Sequence, residues 1–460
     1  MICKIREKIW SYFNEGHERT VLARKNIATS LLIKGVTIIT SVIMIPVTIN
    51  YANPERNGLW LTLYSMVLWL TLFDIGFGNG MKNRLAEAKA AGNNLLARKY
   101  ISSTYAIVCL ICITVFMLFC LLNPHLDWPA ILKNDIPEYN NEITGLIWIF
   151  VGAFCFTFVL NLLKFIVMAD QRPAIAAFLD MIGQLLTLAG ICVLAKTTEP
   201  SLIYLGFVSG FTPVVVYIIA SVYLFNNRYK KWKPSFHLVD FHLCRNMMKL
   251  GVKFFITTSA AFMVLQTIPF LIQRMTSPVE VTNYNTSFRL FAVFFNIVGI
   301  IIIPYWSSFT DAYAKGDFEW MKKSVSYLNK TFLTFLVIQL VLLVLSPGIY
   351  YLWVNHWMKE GQMLDITFFM SAAVCLHVCV LCWTTMYIYP LNGTGKIKIQ
   401  VYSAVLEMIL LIPTAFLLNK ILGAIGIVLA PSLIYIPRMI WAPIQLNRLI
   451  NRKAIGIWDE

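Results

Sequence analysis

Lys34 and Arg289 are cations set in stretches otherwise built of hydrocarbon side chains. A charge at the middle of a bilayer costs about 2.5–3.5 kcal/mol on insertion scales, so such a group is expected to face protein or water and to hold something there. Lys34 stands about eight residues into the first apolar run, roughly 12 Å deep at helical rise. Ser30, Lys34, Thr37, Ser41 and Thr48 fall on one face of a helix, a polar stripe with a cation in it. Asn285, Arg289 and Asn296 form a second stripe, and Ser259, Gln266 and Gln273 recur at heptad spacing in a third, with Arg274 at its end. An ammonium and a guanidinium in a low dielectric bind phosphate, the guanidinium through paired hydrogen bonds. Neighbouring hydroxyls and amides suit sugars. The candidate substrate-binding set is therefore Lys34, Arg289, Gln266, Asn296, Ser41 and Thr37. The competing reading is that each cation snorkels or meets an internal carboxylate.

Other ionisable groups inside apolar runs form a gate or coupling set. Asp180, Gln184 and Thr187 share a face, as do Thr157, Asn161 and Lys164, the last close enough to its helix end to snorkel. Glu407 and Arg438 lie in the last two runs and can pair with each other. Asp180 or Glu407 can neutralise a cation or accept a coupling proton. Asp74-Ile-Gly-Phe-Gly-Asn-Gly80 has the glycine spacing of a dinucleotide loop but no βαβ context, so its glycines read as a helix end and a close-packing surface. Asp74 then sits with Lys82 and Arg84 at the mouth of the protein. His377 is the one histidine inside a run and reads as packed. Cys109/Cys112 and Cys379/Cys382 have the CxxC spacing but lie in apolar helices, where cysteine packs as a small hydrophobe. No metal site, cofactor or P-loop is expected. Any energy input comes from an H+ or Na+ gradient, the membrane potential or the substrate's own concentration difference.

The elements that carry these residues follow from the apolar pattern. Of 460 residues 58% are hydrophobic and 13% charged, and mean hydropathy is +0.69; soluble domains average about a quarter charged. Twelve runs are long enough to span a bilayer: 26–50, 59–77, 101–123, 143–168, 175–195, 202–225, 251–273, 285–306, 331–353, 363–389, 401–418 and 423–445. With the N-terminus on the cytoplasmic side, the inner segments hold 28 Lys and Arg and the outer ones six, a strong positive-inside signal that places both termini in the cytoplasm. The same asymmetry accounts for the net charge of +15 without nucleic acid; the basic run from Arg228 to Lys233 is a topology determinant touching anionic lipid headgroups. The first 25 residues lack a cleavable signal pattern, and the first helix is expected to act as its own insertion signal. The longest outer segment, 124–142, is acidic and too short for a soluble catalytic domain, so no enzyme is expected.

The chain also repeats. Glu87-Ala-Lys-Ala-Ala-Gly-Asn93 with Arg98-Lys99 returns 224 residues later as Asp311-Ala-Tyr-Ala-Lys-Gly-Asp317 with Lys322-Lys323, and Pro54 and Pro278 obey the same offset. Two six-helix halves of equal orientation result. The expected fold is an all-α polytopic membrane protein, its two six-helix bundles related by a pseudo-twofold along the membrane normal. The expected divisions are a cytoplasmic segment 1–25, a bundle 26–225, a basic linker 226–250, a second bundle 251–445 and a tail 446–460.

The stretch Phe73-Asp-Ile-Gly-Phe-Gly-Asn-Gly-Met-Lys-Asn-Arg-Leu-Ala-Glu-Ala88 resembles the segment after the second helix in bacterial polysaccharide flippases. These are the O-antigen-type lipid-linked oligosaccharide translocases of the multidrug/oligosaccharidyl-lipid/polysaccharide exporter (MOP) superfamily. The resemblance implies alternating access in the bacterial inner membrane, an undecaprenyl-diphosphate-linked oligosaccharide as substrate, and a polysaccharide polymerase and chain-length regulator as partners. A cation-lined lumen in that family matches Lys34 and Arg289 in character. The rivals are a multidrug cation antiporter of the same superfamily, a peptidoglycan lipid-precursor flippase and, as an enzyme, a membrane glycan polymerase or ligase.

Overall fold

The computed structural model describes residues 18–70, 77–170, 172–243, 252–358 and 363–459. The described chain is helical: α1 (Glu18–Ala52), α2 (Pro54–Leu68), α3 (Phe77–Ala90), α4 (Asn94–Leu122), the short α5 (Trp128–Leu132), α6 (Asn140–Leu160), α7 (Leu162–Ala169), α8 (Pro173–Thr197) and α9 (Leu202–Asn226) form the first half. The second half comprises α10 (Val252–Met275), α11 (Pro278–Lys315), α12 (Phe318–Trp353), α13 (Phe368–Thr394), α14 (Lys398–Leu422), α15 (Ala424–Ile434) and α16 (Ile436–Ile450). Among the described residues ten helical segments are long and apolar enough to cross a membrane. Their outward faces are hydrocarbon, as Leu32, Leu121, Val344 and Ile421 show, which is stable only against lipid. The protein is a multi-pass membrane protein.

The repeat seen in the sequence is a repeat of local chemistry. Asn53 caps α2 by accepting a hydrogen bond from the Arg56 amide at 2.8 Å, and Ser277 caps α11 by accepting from the Glu280 amide at 3.3 Å. In each case proline fills the first helical position, where its missing N–H costs nothing. Asn93 and Asp317 likewise cap α4 and α12. The turns before them put Gly92 and Gly316 at φ 68° and 71°, a left-handed conformation that glycine adopts without Cβ strain. All four pairs stand 224 residues apart.

Packing repeats in the same register. The pair α1/α8 corresponds to α10/α14, α6/α9 to α13/α15, α2/α6 to α11/α13, and α4/α6 to α12/α13. The two halves meet near a local twofold axis. The Thr282 hydroxyl donates to the Pro54 carbonyl at 2.7 Å. The repeat-mate of that contact is Gly58 against Pro278, where a Cβ would come within 1.8 Å of the proline carbonyl oxygen. Reciprocal contacts of this kind define an isologous interface. Asn57 adds a hydrogen bond to the Thr282 hydroxyl at 3.1 Å.

The segment after α9 is bound to its own half. Trp232 Nε1 donates to Asn94 Oδ1 at 3.0 Å, Arg98 Nε to the Lys233 carbonyl at 2.7 Å, and the amides of Ser235 and Asp240 to the hydroxyls of Ser102 and Ser103. Asp170, between α7 and α8, collects Lys89 at 2.6 Å, Arg228 at 3.0 Å and the Tyr229 hydroxyl at 3.1 Å. Burial pushes this carboxyl up, but the hydrogen bonds and charges of Lys89 and Arg228 outweigh it and hold the group below its ordinary value.

A cation-lined cavity between the halves

The three polar stripes have different fates. α1 and α11 turn theirs toward each other across a cavity of about 570 Å³, lined by Lys34, Thr37, Ser41, Arg289 and Asn296. Five of the six residues expected to bind substrate thus line one space. Gln266 does not: it is half-buried on α10, away from the cavity lining. The lower part of the α10 stripe, Gln273, donates instead to the Leu132 carbonyl at 3.2 Å, and Arg274 to the Ile131 carbonyl at 3.0 Å, tying α10 to α5.

Arg289 sits at the head of the cavity. Its Nη1 lies 3.4 Å from both the hydroxyl and the carbonyl oxygen of Ser41, long contacts that leave most of its donors unengaged. On its far side is a small polar pocket of about 20 Å³ that includes Thr48, Asn57 and Asn285. Beyond that lies the seam of Pro54, Gly58, Pro278 and Thr282. The cavity is therefore closed on the side away from the termini, and a bond from Trp353 Nε1 to the Val42 carbonyl at 3.0 Å seals α1 against the end of α12. The back of α11 is fixed by polar contacts: Ser287 and Tyr350 share a hydrogen bond at 2.8 Å, Tyr350 reaches Ser371 at 3.1 Å, and Gln339 Nε2 donates to the Phe291 carbonyl at 2.9 Å. Bonds of this kind hold transmembrane helices together where hydrophobic association cannot.

Among the described residues no carboxylate lines the cavity, and neither Lys34 nor Arg289 forms an ion pair with one of them. Lys164, Asp180, Glu407, Arg438 and Arg84 are engaged elsewhere. Lys164 meets Asp180 at 2.7 Å, and the Tyr217 hydroxyl donates to the same carboxylate at 2.6 Å. Arg438 grips both oxygens of Glu407, with Nε donating to Oε1 at 3.0 Å, while the Ser403 hydroxyl donates at 2.6 Å. The guanidinium also stacks 4.9 Å from the Tyr435 ring. Arg84 pairs with Glu87 along α3 at 2.8 Å. Asp74 lies outside the described residues. Of the glycines after it, Gly78 is packed under the Phe165 ring.

Gln184, Thr385 and Tyr389 also line the cavity. Gln184 is legible as part of the Asp180 stripe, but the direction of that stripe is not. Thr385 and Tyr389 are one turn apart on α13, a helix almost wholly buried; their only signal is that polar i, i+4 pair.

The family described as polysaccharide biosynthesis protein matches residues 23–310. The chain belongs to that family. A Salmonella typhi protein assigned as an O-antigen transporter is 20% identical over 314 residues, which is 67% of this chain and 68% of that protein. Among solved structures, an inward-facing multidrug resistance MATE family transporter of the MOP superfamily superposes with a TM-score of 0.76 at 12% identity, over 93% of this chain and 100% of that one. The lipid II flippase MurJ in an inward closed conformation gives 0.68 at 15% identity, over 92% and 90%. The fold of this polysaccharide biosynthesis family member is thus that of MOP transporters, two six-helix halves around a central cavity, and its all-α fold and twofold repeat agree with the sequence reading.

Proposed function

We propose that this protein flips a lipid-linked oligosaccharide across the membrane by alternating access, with the diphosphate held between Lys34 and Arg289. The observation that carries the reading is the cavity itself: it lies between the halves, contains two cations that pair with no described carboxylate, has no described carboxylate in its lining, and is lined beside them by Thr37, Ser41, Gln184 and Asn296, which can exchange hydrogen bonds with sugar hydroxyls. Family membership in polysaccharide biosynthesis supplies the substrate class. A multidrug antiporter for cations is disfavoured because such cargo would meet like charge in a low dielectric.

In finer terms, the cargo is an undecaprenyl-diphosphate-linked unit moving from the cytoplasmic leaflet of the bacterial inner membrane, with both termini in the cytoplasm. The lipid tail stays in the bilayer while the headgroup crosses between the halves. Release occurs when the seam around Thr282 and Pro54 opens and the opposite side closes. A polysaccharide polymerase with its chain-length regulator then takes the product. The proposed energy source is an H+ or Na+ gradient, and no cofactor is invoked. Coupling through Asp180 or Glu407 requires breaking the pair each makes with Lys164 or Arg438.

Reconstitution of the purified protein with labelled undecaprenyl-diphosphate-linked oligosaccharide tests the reading. Transfer between leaflets should occur with the wild type and fail with Arg289→Ala. Equal transfer by protein-free vesicles, or undiminished transfer by Lys34→Ala with Arg289→Ala, rules it out.

A further inference from the structure

The repeat shows where the second half lacks something that the first half has. In the first half the groove between the beginning of α4 (98–105) and the end of α9 (219–226) is filled by the protein itself. The turn 230–232 packs on both helices, Arg98 donates to the Lys233 carbonyl at 2.7 Å, and Tyr105 packs edge-on against Phe225 at 6.3 Å. Adding 224 places the equivalent groove between 322–329 of α12 and 443–450 of α16. Here no strap enters. The chain after α16 covers Phe318 with Arg452, 4.6 Å from the ring, and then turns to Lys396, which pairs with Asp459 at 3.1 Å. What remains is an open cavity of about 360 Å³ between α12, α13 and α16.

Its lining is selective. Lys322, the counterpart of Arg98, lines it and forms no ion pair with a described residue. Asn329 has its oxygen occupied by the Tyr387 hydroxyl, which donates at 2.7 Å. Asn447 has its oxygen occupied by Asn451 Nδ2 at 2.7 Å. Each amide therefore has its NH2 group left to donate, with Asn329 two turns along α12 from the Lys322 ammonium. Among the described residues no carboxylate lines the cavity, and the rest of its lining, including Val325, Pro443 and Ile444, is apolar. A wall that sets an ammonium and amide donors among hydrocarbon fits a phosphate attached to acyl chains. Tyr387 is two residues from Tyr389, which lines the central cavity, so the groove lies on another face of α13 from the transport path.

We infer that this groove is a binding site for a lipid-borne phosphate in the leaflet on the side of the termini, an anionic phospholipid that takes the place of the strap in the first half. The site is separate from the cation-lined cavity and stands or falls apart from the flippase reading.

The test uses the full chain, delipidated in detergent, with lipid retention read by native mass spectrometry. Phosphatidylglycerol should be retained about tenfold more strongly than phosphatidylcholine, the scale of one charge-assisted hydrogen bond. Lys322→Ala combined with Asn447→Ala should abolish that preference, while Lys323→Ala, which is not in the lining, should keep it. Ile444→Trp should displace the lipid by filling the groove without removing a charge. Lys322→Ala alone is an exposed change and keeps the test usable if the other variants fold poorly. Undecaprenyl diphosphate and inorganic phosphate are run as separate probes. Retention of undecaprenyl diphosphate, lost in the same variants, identifies the carrier lipid as the source of the phosphate; binding of inorganic phosphate alone, without a lipid, refutes the lipid site. Phosphatidylglycerol preference unchanged in the double variant and in Ile444→Trp overturns the inference.

Discussion

Two arginines within the membrane, Arg289 and Arg438, have opposite surroundings. Arg438 is 93% buried in the second half and is neutralised on the spot: Glu407 takes two of its donors, Tyr435 lies under its face, and Ser403 braces the carboxylate. Arg289 has Ser41 at 3.4 Å and an open cavity. Both residues carry the same insertion cost. In the first case the protein offsets it during folding. In the second no described carboxylate offsets it, and the proposed function leaves that compensation to an anion that arrives and leaves. On the proposed function, an intramembrane cation serves transport when no described counter-charge meets it, and structure when the counter-charge is built in.

The largest expected effect is on the paired arginine. Arg438→Ala leaves Glu407 buried without a partner and should cost about 3–5 kcal/mol of stability. The check is the yield and thermal transition of the protein in detergent; an unchanged transition would place the pair outside the folding core. Arg289→Ala should do the reverse, leaving yield and transition at wild-type values while export of surface polysaccharide falls to background. Lys34→Ala should reduce export less completely, because Lys34 is the more exposed of the two and a hydrated ammonium gains less from the low dielectric than a buried guanidinium. If loss of Lys34 proves the more severe, the diphosphate sits lower in the cavity, toward the termini.

Much of this contrast was legible before any coordinates. The stripes on α1 and α11 and the 224-residue repeat follow from residue type and spacing, because helical periodicity fixes which residues share a face; Glu407 and Arg438 read only as able to pair, and the structure joins them. What periodicity does not fix is the rotation of each helix against its neighbours. The α10 stripe has the same pattern as the α1 stripe, yet Gln273 and Arg274 are used to hold α5 and Gln266 does not reach the cavity. Thr385 and Tyr389 are cavity residues on a helix whose sequence reads as core. The basic segment after α9 was legible as a charge run touching lipid, but its attachment to Ser102 and Ser103 depends on hydroxyls within an apolar helix that carry no pattern of their own.

A charge-neutral exchange sharpens the comparison further. Glu407→Gln with Arg438→Met removes both members of the buried pair at once, so neither is left as an uncompensated charge, and apolar replacements of buried ion pairs are often neutral or stabilising. The double variant should recover most of the stability lost in Arg438→Ala, read as the thermal transition, and should export polysaccharide with the gradient dependence of the wild type. Full stability with altered gradient dependence would instead make Glu407 a coupling carboxylate whose release from Arg438 is a step of transport.

The smallest effect is expected at Ser41. Its hydroxyl and carbonyl are the hydrogen-bond partners of Arg289 among the described residues, and both lie at the limit of hydrogen bonding. Ser41→Ala removes one weak acceptor and leaves the carbonyl, so the guanidinium keeps its place and its free donors. Export should fall by less than about threefold, the scale of a fraction of one hydrogen bond. A fall as deep as that of Arg289→Ala would mean that Ser41 holds the guanidinium in its working position, and that part of the counter-charge is built into α1 after all, as it is for Arg438.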